Sequence, residues 1–390
     1  MLKRSPLASI FLIVLVDVLG LTIILPLLPF YAESLGATPF VVGLLISSYA
    51  GCQLVAGPIL GQISDRIGRK PVLLLSQCGT FAGFVLLATS HSLVPVFISR
   101  IIDGLTAGNI SVVQAYIADV TDESKRTQSF ALIGIAFGIG FLFGPAASGF
   151  LAQYSPVYPI VLAACLSATS ILATLFLLPG KPPVSAEAQH QHTEDIGFSR
   201  TWGMFREPAV SRLFLQFTAF SFTFALFMSG FALFAERRFS WNGAPFRAEQ
   251  VGYTLAFLGL MGVIIQGGLI RQLVKHMGEA RLVPAGFVSL ILGLGLLGLI
   301  SGIPALMVVM VIMAFGSSVV RPALATMITQ AVGKRRQGAG LGMTQSLMSV
   351  AQIVTPAIGG MLIQHQMLTT WALAGALCAT LGLLWCLWGQ

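Results

Sequence analysis

The chain has 390 residues, of which 56% are hydrophobic and 9% are charged, and it carries a formal net charge of +8. An ordinary soluble domain has roughly a quarter charged residues, so this composition excludes a soluble globular protein. Apolar runs of about 20 residues recur from end to end, and this is the length that crosses a bilayer as a helix. In such a chain the surplus of Lys and Arg indicates topology and contact with anionic lipid, and it does not indicate a nucleic-acid partner.

The apolar runs predict an all-α membrane protein with twelve transmembrane helices. In hydrocarbon every backbone N–H and C=O must be paired internally, and the runs are too long and too continuously apolar for the strands of a membrane barrel. The predicted spans, numbered 1 to 12, cover residues 7–30, 40–60, 71–90, 93–118, 128–153, 156–178, 210–235, 249–270, 282–301, 303–329, 338–363 and 368–388. Span 1 is too long for a signal peptide and lacks a small-residue cleavage site, so we expect it to be retained.

The basic residues predict the orientation of the spans. Most of the 22 Lys and Arg residues lie in loops on one side of the predicted membrane. The exceptions are Arg237, Arg238 and Arg247 on the other side, and Arg100 and Arg321 inside spans. By the positive-inside rule we expect a multi-pass protein of the cell (inner) membrane with both termini in the cytoplasm.

The charge-dense segment between spans 2 and 3 is the first functional candidate in chain order. It reads GQISDRIGRK from Gly61 to Lys70. The glycines permit a tight reversal, and the charges offer both signs at a helix boundary, where they can form and break contacts. Ordinary positive-inside charges are the alternative, which leaves Asp65 unexplained. The predicted cytoplasmic gate comprises Gly61, Asp65, Arg66, Gly68, Arg69, Lys70, Asp119 and Glu123.

The gate hypothesis predicts two contacts. We expect Asp65 to face the N-terminal end of span 11, where the helix dipole favours an anion. We also expect Arg69 to pair with Asp119 or Glu123 when the cytoplasmic side is shut.

Asp17 is the predicted proton-binding residue. It lies about 15 Å into span 1 at 1.5 Å per residue, close to the bilayer midplane. A carboxylate at that depth is costly unless it faces a wet cavity or a partner, so it is a functional candidate. Arg100 and Asp103 in span 4 are the other candidates, and the three side chains are placed to meet. The alternative is a static ion-pair cluster that only fixes helix packing.

Span 5 contains a series of small residues that ends in a proline. Gly140, Gly144, Pro145 and Gly149 make the helix thin and bendable, because small residues four apart let helices approach and Pro removes one backbone hydrogen bond. The alternative is tight packing with no functional role.

The predicted cargo is a small amphipathic organic molecule, because the spans offer polar side chains beside many phenylalanines. The candidate cavity residues are Gln53, Asn109, Gln114, Gln216, Arg321, Gln345 and Gln352. The alternative for each of these amide side chains is a hydrogen bond to a neighbouring helix rather than a contact with the cargo. Arg321 is the only ionisable residue well inside the second six spans, and it has three open roles: balancing an anionic cargo, joining the network of Asp17, or extending toward the cytoplasm.

The two halves of the chain repeat each other. Gly252 follows Gly43 by 209 residues, Gly278 follows Gly68 by 210, and Pro356 follows Pro145 by 211. A parallel repeat predicts a six-helix bundle at 1–178, a cytoplasmic linker at 179–209 and a second six-helix bundle at 210–390. We expect a pseudo-twofold axis along the membrane normal and a cavity between the bundles.

These motifs together resemble the major facilitator superfamily. The segment Gly61–Lys70 matches its loop 2/3 signature, and the pattern D-x-x-G…P-x-x-P from Asp17 to Pro29 resembles that of twelve-helix drug:proton antiporters. R-x-x-x-G from Arg100 and G-x-x-x-G-P-x-x-x-G from Gly140 match further motifs of that family. The run 115–122 is most similar to the tetracycline-efflux branch. The resemblance implies the major facilitator fold, and the motif in span 5 implies an exporter.

The predicted function is proton-coupled efflux of amphipathic compounds by alternating access. A proton-coupled importer of a small metabolite is the alternative, and it differs in the direction of coupling. An enzyme is not expected, since all five His lie in loops or at span ends. The sequence contains no P-loop motif, so we do not expect direct use of ATP. We expect no cofactor and no metal. The expected partners are the cargo, protons and the lipid bilayer, and we expect a monomer.

Overall fold

The computed structural model describes residues 6–121, 123–179, 207–333 and 336–388. The first helices are α1 (Pro6–Ser34), α2 (Pro39–Ile67), α3 (Arg69–Ala88), α4 (Leu93–Leu105), α5 (Asn109–Val120), α6 (Glu123–Ala152) and α7 (Val157–Leu177). They are followed by α8 (Pro208–Arg238), a hairpin of β1 (Ser240–Trp241) and β2 (Ala244–Pro245), and α9 (Ala248–Ile264). A π-helical turn (Ile265–Leu269) leads to α10 (Ile270–Met277), α11 (Glu279–Leu297), α12 (Ile303–Val332), α13 (Gln337–Gln364) and α14 (Leu368–Leu387).

Twelve membrane-spanning segments lie within the described ranges, and each is long and apolar enough to cross a bilayer. The prediction of twelve transmembrane helices is therefore confirmed. Span 4 consists of α4 and α5 in series, and span 8 consists of α9, the π turn and α10. Each of the other spans is a single helix.

The break in span 4 was not predicted. Thr106, Ala107 and Gly108 interrupt the helix between α4 and α5. A Cβ on Gly104 would lie 2.6 Å from the backbone oxygen of Tyr49, and one on Gly108 would lie 2.8 Å from Cδ1 of Leu60. The chain is therefore pressed closely against α2 on both sides of the break, and α5 begins afresh at Asn109.

The chain forms two compact units. Unit 1 comprises 1–37, 48–194 and 248–256, and unit 2 comprises 38–47, 195–247 and 257–390. This division differs from the predicted one in two short segments, since the beginning of α2 belongs to unit 2 and the beginning of α9 belongs to unit 1. Most of the predicted linker at 179–209 lies outside the described residues.

Each unit contains one copy of the same close backbone contact. In unit 1, a Cβ on Gly252 of α9 would lie 2.5 Å from the backbone oxygen of Pro145 in α6. In unit 2, a Cβ on Gly43 of α2 would overlap the backbone oxygen of Pro356 in α13. Because these pairs are the repeat landmarks of the sequence, the contact itself is repeated and the two halves share one architecture.

Unit 2 has an aromatic core along α8. Phe234 stacks on Trp371 of α14 with the ring centroids 4.7 Å apart, and Trp371 is 1% exposed. Gly230 faces the same indole, and a Cβ there would lie 2.5 Å from its nitrogen. The many phenylalanines of α8 therefore serve mainly to pack this helix, which is the most buried of the twelve spans.

Candidate functional site

Asp17 lies at the centre of a polar cluster in unit 1. Asn109, the first residue of α5, donates its side-chain N–H to the Asp17 carboxylate at 2.9 Å. Gln77 of α3 and Ser170 of α7 lie close to this carboxylate and bond to each other, since the Gln77 amide donates to the Ser170 hydroxyl at 2.7 Å. Four elements thus converge on one carboxylate deep in the apolar bundle.

This cluster also contains two amide oxygens that accept no hydrogen bond from the described residues. Asn109 Oδ1 and Gln77 Oε1 are both buried, and neither has a hydrogen-bond partner among the described residues. A carboxylate only accepts hydrogen bonds, whereas a protonated carboxyl group also donates one. The cluster therefore contains a donor to the ionised form of Asp17, and its two unpartnered amide oxygens are of the kind that a protonated carboxyl group needs as acceptors.

Arg100 pairs with Asp103 and not with Asp17. Arg100 Nη1 lies 3.2 Å from Asp103 Oδ2, and both side chains are nearly inaccessible. The guanidinium also lies over the ring of Phe84 at 5.6 Å, and Phe84 packs against Gly20 of α1. The expected meeting of all three charged groups is therefore only partly realised: Arg100 and Asp103 form a pair, and Phe84 lies between Arg100 and Gly20, about one turn along α1 from Asp17.

The glycines of α6 pack on α1 beside Asp17. A Cβ on Gly140 would lie 2.5 Å from Cγ1 of Val18, and one on Gly144 would overlap the Thr22 hydroxyl. That hydroxyl donates to the backbone oxygen of Gly140 at 2.9 Å. The span 5 motif therefore fixes the distance between α6 and the stretch of α1 that carries the carboxylate. Pro145 and Gly149 lie further along α6, where they contact the beginning of α9.

The charged segment between α2 and α3 is a single-residue reversal. The prediction that residues 61–70 form a turn between spans 2 and 3 is wrong, because α2 remains helical through Ile67 and α3 begins at Arg69. Gly68 alone makes the turn, with φ 98° and ψ 156°, a conformation that is essentially limited to glycine. Gly61 lies inside α2, and nothing is within 4 Å of a Cβ placed there, so its expected role in a close approach is also wrong.

Arg69 is the centre of the gate cluster. Its Nε donates to Asp119 Oδ2 at 2.8 Å, and its Nη1 donates to Ser64 Oγ at 2.7 Å and to Asp65. The Arg69 side chain is 7% exposed, whereas Asp65 is 54% exposed. One buried cation thus ties α3 to α2 and α5 within unit 1.

The remaining gate candidates are less involved. Lys70 donates to the backbone oxygens of Leu175 at 2.8 Å and Leu178 at 2.7 Å, which closes the C-terminal end of α7. Arg66 is exposed. The side chain of Glu123 lies outside the described part of the structure, and the expected position of Asp65 opposite span 11 stays a prediction.

The candidate cavity residues have different surroundings. Gln216 is 5% exposed and donates to the backbone oxygen of Trp385 at 3.2 Å, so it joins α8 to α14 and fits the alternative of a hydrogen bond between helices. Gln53 donates to the Tyr49 hydroxyl on its own helix at 3.2 Å. The other members are Gln114, Gln345 and Arg321, which are exposed, and Gln352, which is half-buried.

Sequence reasoning missed Gln77, Ser170 and Thr22 as members of the site. Their only signal is a polar side chain inside an apolar span, and such residues in membranes commonly bond from helix to helix. Their selection requires the packing of α1 against α3, α6 and α7, which the sequence alone does not provide.

The family model of the Major Facilitator Superfamily matches this chain over residues 10–303 and again over 272–389. The chain belongs to the Major Facilitator Superfamily. Its proposed site residues in unit 1 therefore lie in a multi-pass inner-membrane protein of a transporter family, and the predicted fold is confirmed.

Curated superfamily members include two informative relatives. The chain is 32% identical to the class E tetracycline resistance protein of Escherichia coli, over 89% of this chain and 85% of the relative. It is 25% identical to multidrug resistance protein 2 of Bacillus subtilis (strain 168), over 91% of this chain and 88% of the relative. Similarity thus extends over nearly the whole of each protein.

A solved structure of the superfamily shows the same fold. The crystal structure of the human organic anion transporter MFSD10 (TETRAN) superposes with a TM-score of 0.70 at 25% identity, and the match covers 98% of this chain and 100% of that chain. The match therefore supports the major facilitator fold over nearly the whole of this chain.

Proposed function

We propose that the protein exports amphipathic organic compounds in exchange for protons, by alternating access, and that Asp17 is the proton-binding residue. The relatives named for tetracycline and multidrug resistance support efflux of drug-like compounds. The structural neighbour named as an organic anion transporter indicates that the relatives do not fix the charge of the cargo.

The observation that carries this proposal is the balanced hydrogen bonding around Asp17. The ionised carboxylate accepts a hydrogen bond from Asn109, and the polar side chains of Gln77 and Ser170 lie beside it. The protonated form has Asn109 Oδ1 and Gln77 Oε1 available as acceptors. A static structural carboxylate needs partners for one form only, whereas a carrier must stabilise both forms in turn.

The proton on Asp17 is coupled to the rest of unit 1 by two routes. Asn109 begins α5, so a change in its hydrogen bond to Asp17 acts on the helix that ends next to Asp119. Val18 and Thr22 pack on the glycines of α6, so any rotation of α1 is transmitted to the span 5 motif. The Arg69 cluster, which holds Asp119, Ser64 and Asp65, is the proposed gate that opens and closes on the predicted cytoplasmic side.

The test is uptake of a lipophilic fluorescent drug into inverted membrane vesicles that are acidified inside. Wild-type protein should concentrate the dye in response to the pH gradient, and Asp17→Asn should reduce this uptake by about a hundredfold because the amide cannot carry a proton. Binding of the dye to purified Asp17→Asn protein should remain within about threefold of the wild-type value.

Glu33→Gln is the matched control, since Glu33 is on the same helix, near its other end, and carries the same functional group. It should transport at the wild-type rate. Proton-driven uptake that survives Asp17→Asn removes Asp17 from the mechanism, and a wild-type protein that releases dye from acidified inverted vesicles identifies an importer.

A further inference from the structure

Arg321 of α12 is a cation deep inside a membrane span. It lies about 27 Å along the axis from Ile303 and about 16 Å from Val332, at 1.5 Å per residue. An ionised side chain at such depth is costly, and it persists where it faces a partner or a wet space. Its surroundings therefore indicate what it binds.

The side chain does not point to lipid. The exposed apolar residues Val308 and Val311 mark the lipid-facing side of α12. Arg321 lies roughly a third of a turn from that side, at 100° per residue. Residues two turns away on its own stripe are Ala314, which is 1% exposed, and Ile328, which is 0% exposed. An exposed charge on an otherwise buried stripe faces a water-accessible recess of the protein.

Arg321 also differs from Arg100 in the partners of its guanidinium group. Arg100 is 4% exposed and is held by Asp103 and the Phe84 ring. No carboxylate or other side chain of the described residues forms an ion pair or hydrogen bond with Arg321. A guanidinium has five N–H donors in a planar fork that fits an oxyanion with two parallel hydrogen bonds.

We infer that Arg321 binds the anionic group of the cargo, and that the transported compounds are amphipathic monoanions such as carboxylates or sulfonates. This inference rests on the proposed export function and specifies its substrate class.

Charge balance gives this assignment a consequence. When a monoanion leaves the cell and one proton enters, two positive charges move inward in each cycle. Exchange of a monocation for one proton moves no net charge. The membrane potential, which is negative inside, therefore drives export of an anion and does not affect one-for-one export of a cation.

The experiment uses inverted vesicles containing the full-length protein and two probes with the same naphthalene body, one a sulfonate and one a trimethylammonium salt. Wild-type vesicles should accumulate the sulfonate, and Arg321→Gln should slow its uptake about tenfold or more, while Arg321→Lys, which keeps the charge but loses the two parallel hydrogen bonds, should give an intermediate rate. Arg281→Gln, an exposed guanidinium of α11, is the matched control and should transport at the wild-type rate.

Two further readouts use the wild-type protein and do not depend on how the variants fold. Uptake of the sulfonate under a pH gradient builds a potential, negative inside the vesicle, that opposes further uptake, so valinomycin with potassium should speed it, and purified protein should bind the sulfonate more tightly than the trimethylammonium probe. Wild-type transport of the cation in preference to the sulfonate, or full sulfonate uptake by Arg321→Gln, overturns the inference and leaves the exporter intact. Transport of neither probe under a pH gradient, together with no uptake of the fluorescent drug, overturns the proposed function itself.

Discussion

The reversal at Gly68 in unit 1 and the reversal at Gly278 in unit 2 have nearly the same backbone and different side chains. Gly68 has φ 98° and ψ 156°, and Gly278 has φ 70° and ψ 160°. Arg69 follows the first glycine and is held by two acids, whereas Glu279 follows the second, and the adjoining α10 has no buried residue. The repeat has thus kept the path of the chain and changed its electrostatics.

The same difference holds inside the membrane. Unit 1 has an acid in a hydrogen-bonded cluster and a neutralised Arg100–Asp103 pair, whereas the spans of unit 2 have Arg321 without an acidic partner among the described residues. We therefore assign proton binding to unit 1 and contact with the charge of the cargo to unit 2. Substitutions made in parallel in the two units test this division.

The largest expected effect on stability is that of Arg100→Gln. It leaves Asp103 buried without its cation, and breaking a buried pair in this way costs about 3–5 kcal/mol. Arg321→Gln should cost less than about 1 kcal/mol, because Arg321 is exposed and forms no ion pair with the described residues. Unfolding of the purified proteins in detergent measures both values.

A double variant checks the reason for that difference. Arg100→Gln combined with Asp103→Asn should recover most of the lost stability, since no buried charge is then left alone. Equal destabilisation by Arg100→Gln and Arg321→Gln would contradict the contrast between the units.

A smaller effect is expected for Gly144→Ala. The added methyl group would overlap the Thr22 hydroxyl and push α6 away from α1, which we expect to cost about 1–3 kcal/mol and to slow transport. Gly134→Ala on the same helix is the control, because nothing lies within 4 Å of a Cβ at that position. Similar thermal shifts in the two variants would show that the contact with α1 is unimportant.

The smallest effect is expected for Lys70→Gln. The Lys70 ammonium caps the backbone oxygens at the end of α7, and a cation at a helix C-terminus contributes about 0.3–1 kcal/mol. Unit 2 has Ala280 at the equivalent position and lacks this cap. Lys70→Arg should keep the stability of the wild type in a thermal melt, and a loss as large as that of Lys70→Gln would exclude a role for the charge.

Hydropathy was sufficient to predict the twelve spans, because bilayer thickness and backbone pairing leave few alternatives. It was not sufficient for the break at Thr106–Gly108, since residues 93–118 are apolar enough on average to form one span and the break depends on how α2 packs against Gly104 and Gly108. The prediction of a turn over residues 61–70 was wrong because charged residues do not end a helix, whereas Gly68 does. The partners of Asp17 are ordinary polar residues until folding brings α3, α5 and α7 together.

The π-helical turn at Ile265–Leu269 lies where the spacing between the two copies of the repeat increases from 209 to 210 residues. The spacing is 209 residues at Gly43 and Gly252 and 210 at Gly68 and Gly278, so the later copy has gained one residue between these landmarks. An insertion into a regular α-helix would swing everything beyond it by about 100°, whereas a π turn absorbs the extra residue locally. The π turn thus accommodates the one extra residue of the second copy within span 8.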